Sequence, residues 1–205
     1  MNYEIEMKAH VYNRQEVIDI LNKIAVYGGH TQKNDTYYRL QKQFSQNSNQ
    51  ENQDNFQNYV TARIRQEKLT LDGKTSTKFY FTYKRKELKK SSDGKEIEVN
   101  EENEFTFDDD SALTLFFQDA GAQISLKKQK SVEQWNFFAD GENAHIELCT
   151  VPPLGDFLEI EIIKSENDEQ TVKKCRNIIQ KIFTECNIPL NQIEERYYRD
   201  MLKDI

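Results

Sequence analysis

Cysteine is scarce in this chain: Cys149, Cys175 and Cys186 form no C-x-x-C pair and leave an odd count. That pattern implies neither a disulfide framework nor a structural zinc site, and it fits a reducing cytosol. Long apolar runs are missing too. No stretch approaches the roughly 20 residues needed to cross a bilayer, and the N-terminus lacks the apolar segment of a secretion signal, so the expected location is cytoplasmic with no membrane partner. There is no excess of positive charge: 28 Lys and Arg stand against 35 Asp and Glu, a net charge of -7. Broad binding to nucleic acid or anionic lipid needs a cationic surface, so any basic patch here must be local. No internal repeat is evident.

What the chain does have is aromatic mass, with twelve Phe and ten Tyr beside 31% charged and 37% hydrophobic residues. That balance predicts a folded protein. The length suits one domain over 1–205. Residues 42–58, dominated by Asn and Gln, read as a flexible hairpin loop whose insertion costs little stability.

Tyr3-Glu4-Ile5-Glu6-Met7-Lys8 alternates, placing Glu4, Glu6 and Lys8 on one face and Ile5 and Met7 on the other. Carboxylates spaced about 7 Å apart along a strand suit divalent metal, and an adjacent ammonium suits phosphate. A wet sheet face would carry the same pattern. Asn13 to Glu16 predicts a helix N-cap, with Val17, Ile20, Leu21 and Ile24 in helical spacing until Gly28-Gly29 stops them. Strands are then expected at 36–40, 59–65, 78–87 and 96–107, with a turn at Ser91–Gly94. A helix at 110–120 should bury Leu113, Phe116 and Phe117. Further strands cover 122–135, the His145-Glu147-Cys149 segment and 157–162. The period changes in the 167–205 tail, where Val172, Cys175, Ile178, Ile179, Ile182 and Phe183 mark one helix, and Ile193, Tyr197 and Met201 a last one. The result is an α+β arrangement of about eight antiparallel strands.

The polar faces collect Glu4, Glu6, Lys8, Arg63, Arg65, Lys84, Lys86, Glu102, Glu104, Lys128, Lys130, His145, Glu147, Glu159 and Glu161. On an open sheet these are scattered ion pairs, each worth about 0.2–1 kcal/mol. Inside a closed barrel they line a channel whose charge must be met by ligand or metal. Alternation alone leaves both open.

Here the sequence resembles the CYTH superfamily of triphosphate-tunnel metalloenzymes, which includes class IV adenylyl cyclases and triphosphatases. Its E-x-E-x-K signature resembles Glu4-Ile5-Glu6-Met7-Lys8, and the cyclase branch's Q-x-D-T-Y-F segment resembles Gln32–Tyr38 with one extra residue. Arg63-Ile64-Arg65, Thr82-Tyr83-Lys84 and Lys128-Gln129-Lys130 resemble the R-x-R, T-Y-K and K-x-R elements, and Val151–Glu161 the V-x-x-L-G-x-F-x-E-I-E run. One position departs: the family's L-D-x-V element reads Leu148-Cys149-Thr150-Val151, without its acid.

The resemblance implies a closed eight-stranded antiparallel β-barrel with flanking helices. Lys8, Arg63, Arg65, Lys84, Lys128 and Lys130 would bind the triphosphate of ATP or tripolyphosphate. Glu4, Glu6, Glu159 and Glu161 would hold Mg²⁺ or Mn²⁺, with Lys8, Glu6 and Glu161 taking part in the chemistry. Three activities stay open: adenylyl cyclase, triphosphatase, and, because of Cys149, a non-catalytic polyphosphate or nucleotide binder. The family often forms homodimers, although no interface stripe appears in this sequence. Ordinary roles compete at several positions: His145 as a partly exposed histidine, Trp135, Phe137 and Phe138 as packing, and Asp35 as a turn or strand-start residue.

Overall fold

Eight strands take most of the chain: β1 (Tyr3–Val11), β2 (Val26–Gln41), β3 (Tyr59–Leu71), β4 (Lys74–Lys90), β5 (Glu96–Phe107), β6 (Gln123–Ala139), β7 (Glu142–Val151) and β8 (Gly155–Lys164). Among the described residues, four α-helices and a short 3-10 turn at Leu190–Gln192 accompany them: α1 (Arg14–Ile24), α2 (Ser111–Asp119), α3 (Glu169–Glu185) and α4 (Tyr198–Lys203). This computed structural model describes residues 3–41, 59–90, 96–166 and 168–204, apart from the side chains of 59, 84–90, 96–102 and 203. The expected 42–58 loop and the Ser91–Gly94 turn lie outside the described residues, as do the side chains of Lys84, Lys86 and Glu102. No described helix is long and apolar enough to cross a membrane.

All strands pair antiparallel in one sheet, ordered β1-β8-β7-β6-β2-β3-β4-β5. The expected closed ring of hydrogen bonds is not formed: β1 and β5 are the edges, and no ladder joins them among the described residues. The edges do come within 8 Å of each other. One cause lies in the chain's tail. Ala9 forms a bridge with Ile193, and the Glu194 N–H donates to the Lys8 carbonyl at 2.8 Å, so part of the free edge of β1 is occupied.

Period-two patterning decides what each face meets. Ile5, Ala9, Ile146, Leu148, Ile160 and Ile162 point to the convex side, where α1 brings Val17 and Leu21 and α3 brings Ile179, Ile182 and Phe183. Each of the larger aliphatic or aromatic side chains among them contributes about 1.5–3 kcal/mol on burial. Trp135 is buried in this layer and donates from Nε1 to Asn22 at 2.9 Å, whereas Phe138 is exposed. On the other half of the sheet, α2 lays Phe117 over Tyr38, Ala62 and Ile64. Phe116, expected inside, is exposed, because one helical face of nine residues cannot bury two adjacent rings.

The helix ends also differ from expectation. Asn13 caps α1, its side chain accepting from the Glu16 N–H and donating to the Glu16 carboxylate at 2.9 Å. However, α1 stops at Ile24, and Gly28-Gly29 lie inside β2, where Gly29 takes φ +109° at a bulge. Ile193 belongs to the bridge, and α4 begins at Tyr198, which turns inward while Tyr197 is exposed.

Candidate functional site

Register assembles the concave face. Glu159 stands opposite both Lys8 and Glu147, and Glu161 opposite both Glu6 and His145. On the other half, Lys130 faces Lys33, Asp35 faces both Lys128 and Arg65, Arg63 faces Tyr37 and Thr82, and Thr82 faces Glu104. The backbone sets Lys84 opposite Glu102.

Lys33, Asp35, Lys128, Lys130 and Glu147 are all buried. Buried charge is tolerated only when paired, and these are. Lys130 reaches Glu147 at 2.7 Å and Glu159 at 2.6 Å. Lys33 contacts Glu147 and lies 3.6 Å from Glu67. Arg65 grips Asp35 with two N–H donors at 2.7 and 3.0 Å, and Lys128 sits 3.1 Å from the same carboxylate. Arg63 donates to the Thr82 hydroxyl at 2.9 Å and stands 3.6 Å from Glu104. Its Nε is buried and finds no hydrogen-bond partner among the described residues.

These pairings set protonation. Burial alone would raise the Asp35 carboxyl, but Arg65 and Lys128 overcome it and hold it well below the usual range. Glu147 follows the same logic, with Lys130 and Lys33 opposing its burial. Lys130 stays charged, since the carboxylates of Glu147 and Glu159 outweigh its desolvation. Glu159 is held down at about 2, burial being overcome chiefly by Lys130. Glu161 is the opposite case: burial, then Glu4 and Glu6, push it up to about 7. Burial would lower His145, but Glu147 and Glu161 raise it. Burial lowers Lys8 against the pull of Glu159 and Glu6.

The four glutamates expected as metal ligands therefore divide. Glu4, Glu6 and Glu161 crowd one another, whereas Glu159 is engaged by Lys130. Among the described residues, the ligand atoms of Glu147, Cys149 and Glu159 lie within 4.8 Å of one another. The Cys149 Sγ is 3.5 Å from Glu159 and 3.6 Å from the Lys130 ammonium. Burial and Glu159 push its thiol well above the ordinary value, so it stays protonated and adds no charge.

Sequence reasoning missed two groups. Lys33 shares the odd-numbered face of β2 with Asp35, and extending the alternation two residues back from Asp35 would have found it. Tyr198 carries no such signal, because its ring is delivered by the tail. It lies 4.5 Å from the Lys8 ammonium and 5.0 Å from that of Lys128, measured to the ring centroid. Burial, then Glu159 and Cys149, push its ionisation far above the usual phenol.

The CYTH domain profile matches residues 2–198. The chain belongs to the CYTH family. The PH1819 protein of Pyrococcus horikoshii OT3 is similar in structure, with a TM-score of 0.68 at 19% identity, covering 98% of this chain and 99% of that one. The PH1012 protein of the same organism gives 0.60 at 21%, with coverage of 96% and 98%. A candidate adenylate cyclase from Vibrio parahaemolyticus gives 0.62 at 13%, with 98% of each chain covered. At these identities the likeness to the solved structures is one of fold. No curated protein matches.

Proposed function

We propose that this CYTH protein is a divalent-metal-dependent enzyme acting on a triphosphate. The first reading is class IV adenylyl cyclase chemistry, ATP to cyclic AMP and pyrophosphate; the second is hydrolysis of an inorganic or organic triphosphate. The observation that carries the anion site is Arg63: its side chain is only part-buried, yet its Nε–H is buried and has no hydrogen-bond partner among the described residues, on the face shared by Arg65, Lys128 and Lys130. A buried donor left unmade is costly, and a phosphoryl oxygen would satisfy it. In this reading the curled sheet serves as the tunnel, although its edges are not joined.

The carboxylates fit a divalent cation, since three of them crowd until one is driven to about 7. Glu4, Glu6 and Glu161, with Glu159 once Lys130 turns to phosphate, would hold Mg²⁺ or Mn²⁺. When bound, such an ion offsets charge on the transferred phosphoryl group. The chain's own part is position and field: Arg63, Arg65, Lys128, Lys130 and, by its strand position, Lys84 fix the phosphates, and Lys8 neutralises charge beside Glu159. Asp35 touches no substrate in this scheme; it aims Arg65 and Lys128.

The Gln32–Tyr38 segment favours the cyclase reading. The triphosphatase reading needs only the paired cations and carboxylates of the face, with no pocket for a base. Incubation of the purified protein with ATP or tripolyphosphate and Mg²⁺ or Mn²⁺ separates them: cyclic AMP with pyrophosphate supports the first, phosphate release the second. Tight binding without turnover would make the protein a binder. Absence of both binding and turnover would overturn the proposal. Glu4→Ala and Glu161→Ala are expected to abolish turnover with the fold intact, and Arg63→Ala chiefly to weaken triphosphate binding.

A further inference from the structure

Toward the β7–β8 turn the concave face changes character. One cross-strand row is Lys8, Glu159 and Glu147; the next is His10, Phe157, Cys149 and Val132. Tyr198 and Met201 of α4 pack onto that second row, in one cluster with Val132, Cys149, Val151 and Phe157. The segment leading to α4 is pinned beside the site. Lys8 donates from its ammonium to the Arg196 carbonyl at 2.5 Å, and His10 lies 3.3 Å from the Glu194 carboxylate. The Tyr198 ring meets Phe157 edge-on with centroids 5.0 Å apart, and it faces the ammonium groups of Lys8 and Lys128. Its hydroxyl is buried and makes no hydrogen bond of acceptable geometry among the described residues.

An aromatic ring against two ammonium groups has two effects. Its negative face attracts both cations, which otherwise repel each other, and so holds them ready for an anion. Packed on Phe157 and braced by Met201, it also closes that end with side chains that have little room to yield. Resting on the triphosphate reading above, we propose that Tyr198 is the stop of the ionic compartment. The free terminal phosphoryl group of a linear polyphosphate comes to rest against it between Lys8 and Lys128, any organic substituent stays toward the opposite end, and chains much longer than a triphosphate are refused. Tyr198 is then a specificity-determining and positioning residue, acting through shape and through the two lysines.

The test is calorimetric binding of tripolyphosphate, tetrapolyphosphate and long-chain polyphosphate to the full chain, with thermal melts as a folding control. The wild-type protein is expected to prefer tripolyphosphate, with affinity falling as the chain lengthens. Tyr198→Ala is expected to erase that ranking and to weaken tripolyphosphate by about threefold to tenfold, the scale of a lost cation–π contact. Tyr198→Phe keeps the ring and should keep the ranking. Met201→Ala, which thins the cap without touching either lysine, should shift the ranking toward longer chains and decides the matter if Tyr198→Ala fails to fold. A wild-type protein that binds tripolyphosphate but takes long chains equally well, or a ranking unchanged in the Ala variants, or lost in Tyr198→Phe, overturns the stop alone. A wild-type protein that binds no tripolyphosphate overturns the triphosphate reading and the stop with it.

Discussion

The Lys130 ammonium lies 2.6 Å from the Glu159 carboxylate, and its other close acidic partner, Glu147, is 2.7 Å away. One buried cation thus joins two strands through a pair of acids that would otherwise repel. Removing it leaves uncompensated charge in a desolvated place, with Lys33 and His145 the remaining close partners of Glu147. Lys130→Met should therefore destabilise the ligand-free protein by about 3–5 kcal/mol. A control at exposed Lys173 should change stability by no more than about 0.5 kcal/mol. Urea unfolding measures both; equal, small effects would mean that the pair adds nothing to stability.

Acidity in the site gives a second prediction, with its sign set by Glu161 and His145. Glu161 titrates near 7 when folded against an ordinary 4.5, so its contribution to folding is complete below about 4.5 and is lost as pH climbs through about 7. His145 is raised above 6.5, so its contribution is present below that value and lost as pH rises through the folded value. Both act in one direction. The Tm of the metal-free protein should fall between pH about 5 and about 8, and Glu161→Gln should flatten most of that fall. The lowered acids Asp35, Glu147 and Glu159 act in a more acidic window, losing their contributions as pH drops below the ordinary carboxylate range. A Tm that rises over the same interval would contradict the crowding of Glu4, Glu6 and Glu161.

Much of this site could be read from alternation. Glu4, Glu6, Arg63, Arg65, Lys128, Lys130, Glu159 and Glu161 do share the concave face, because a strand's period of two leaves no choice once Ile5, Ile64 and Ile160 must face their cores. Pairing across strands was not readable. Nothing local in the sequence says that Lys130 would take Glu159 away from Glu4, Glu6 and Glu161, since that depends on register between β6, β7 and β8. Strand length was underestimated where glycine looked like a stop. At Gly28-Gly29 the chain bulges and continues, because β6 holds β2 on either side of the bulge and β3 joins it from His30 onward.

Gly29 supplies a prediction about the fold alone. Its φ of +109° lies where side chains are strained, and a Cβ there would come 2.8 Å from the Thr70 carbonyl oxygen. Backbone has no flexible end to move aside. Gly29→Ala should lower stability by about 1–3 kcal/mol while leaving residues of the anion site in place. The same change at Gly73, whose added Cβ meets nothing within 4 Å, carries the φ penalty alone and should cost less. Denaturant melts of the two variants settle the order; equal losses would show that the Thr70 contact is irrelevant.

Cys149 marks where this chain parts from the acid usual in its family, and its chemistry can be tested in place. The thiol lies 3.5 Å from Glu159 and is held protonated, so it gives the carboxylate group no further negative charge. Divalent affinity in oxygen-lined sites follows ligand charge. Cys149→Asp should therefore tighten Mg²⁺ or Mn²⁺ by about tenfold in calorimetry, while lowering stability without metal because a third carboxylate then faces Lys130. Cys149→Ser is neutral at the same size and should do neither. If the serine variant gains affinity equally, space rather than charge limits the ion; if neither variant changes it, the ion binds among Glu4, Glu6 and Glu161 without reaching β7 at all.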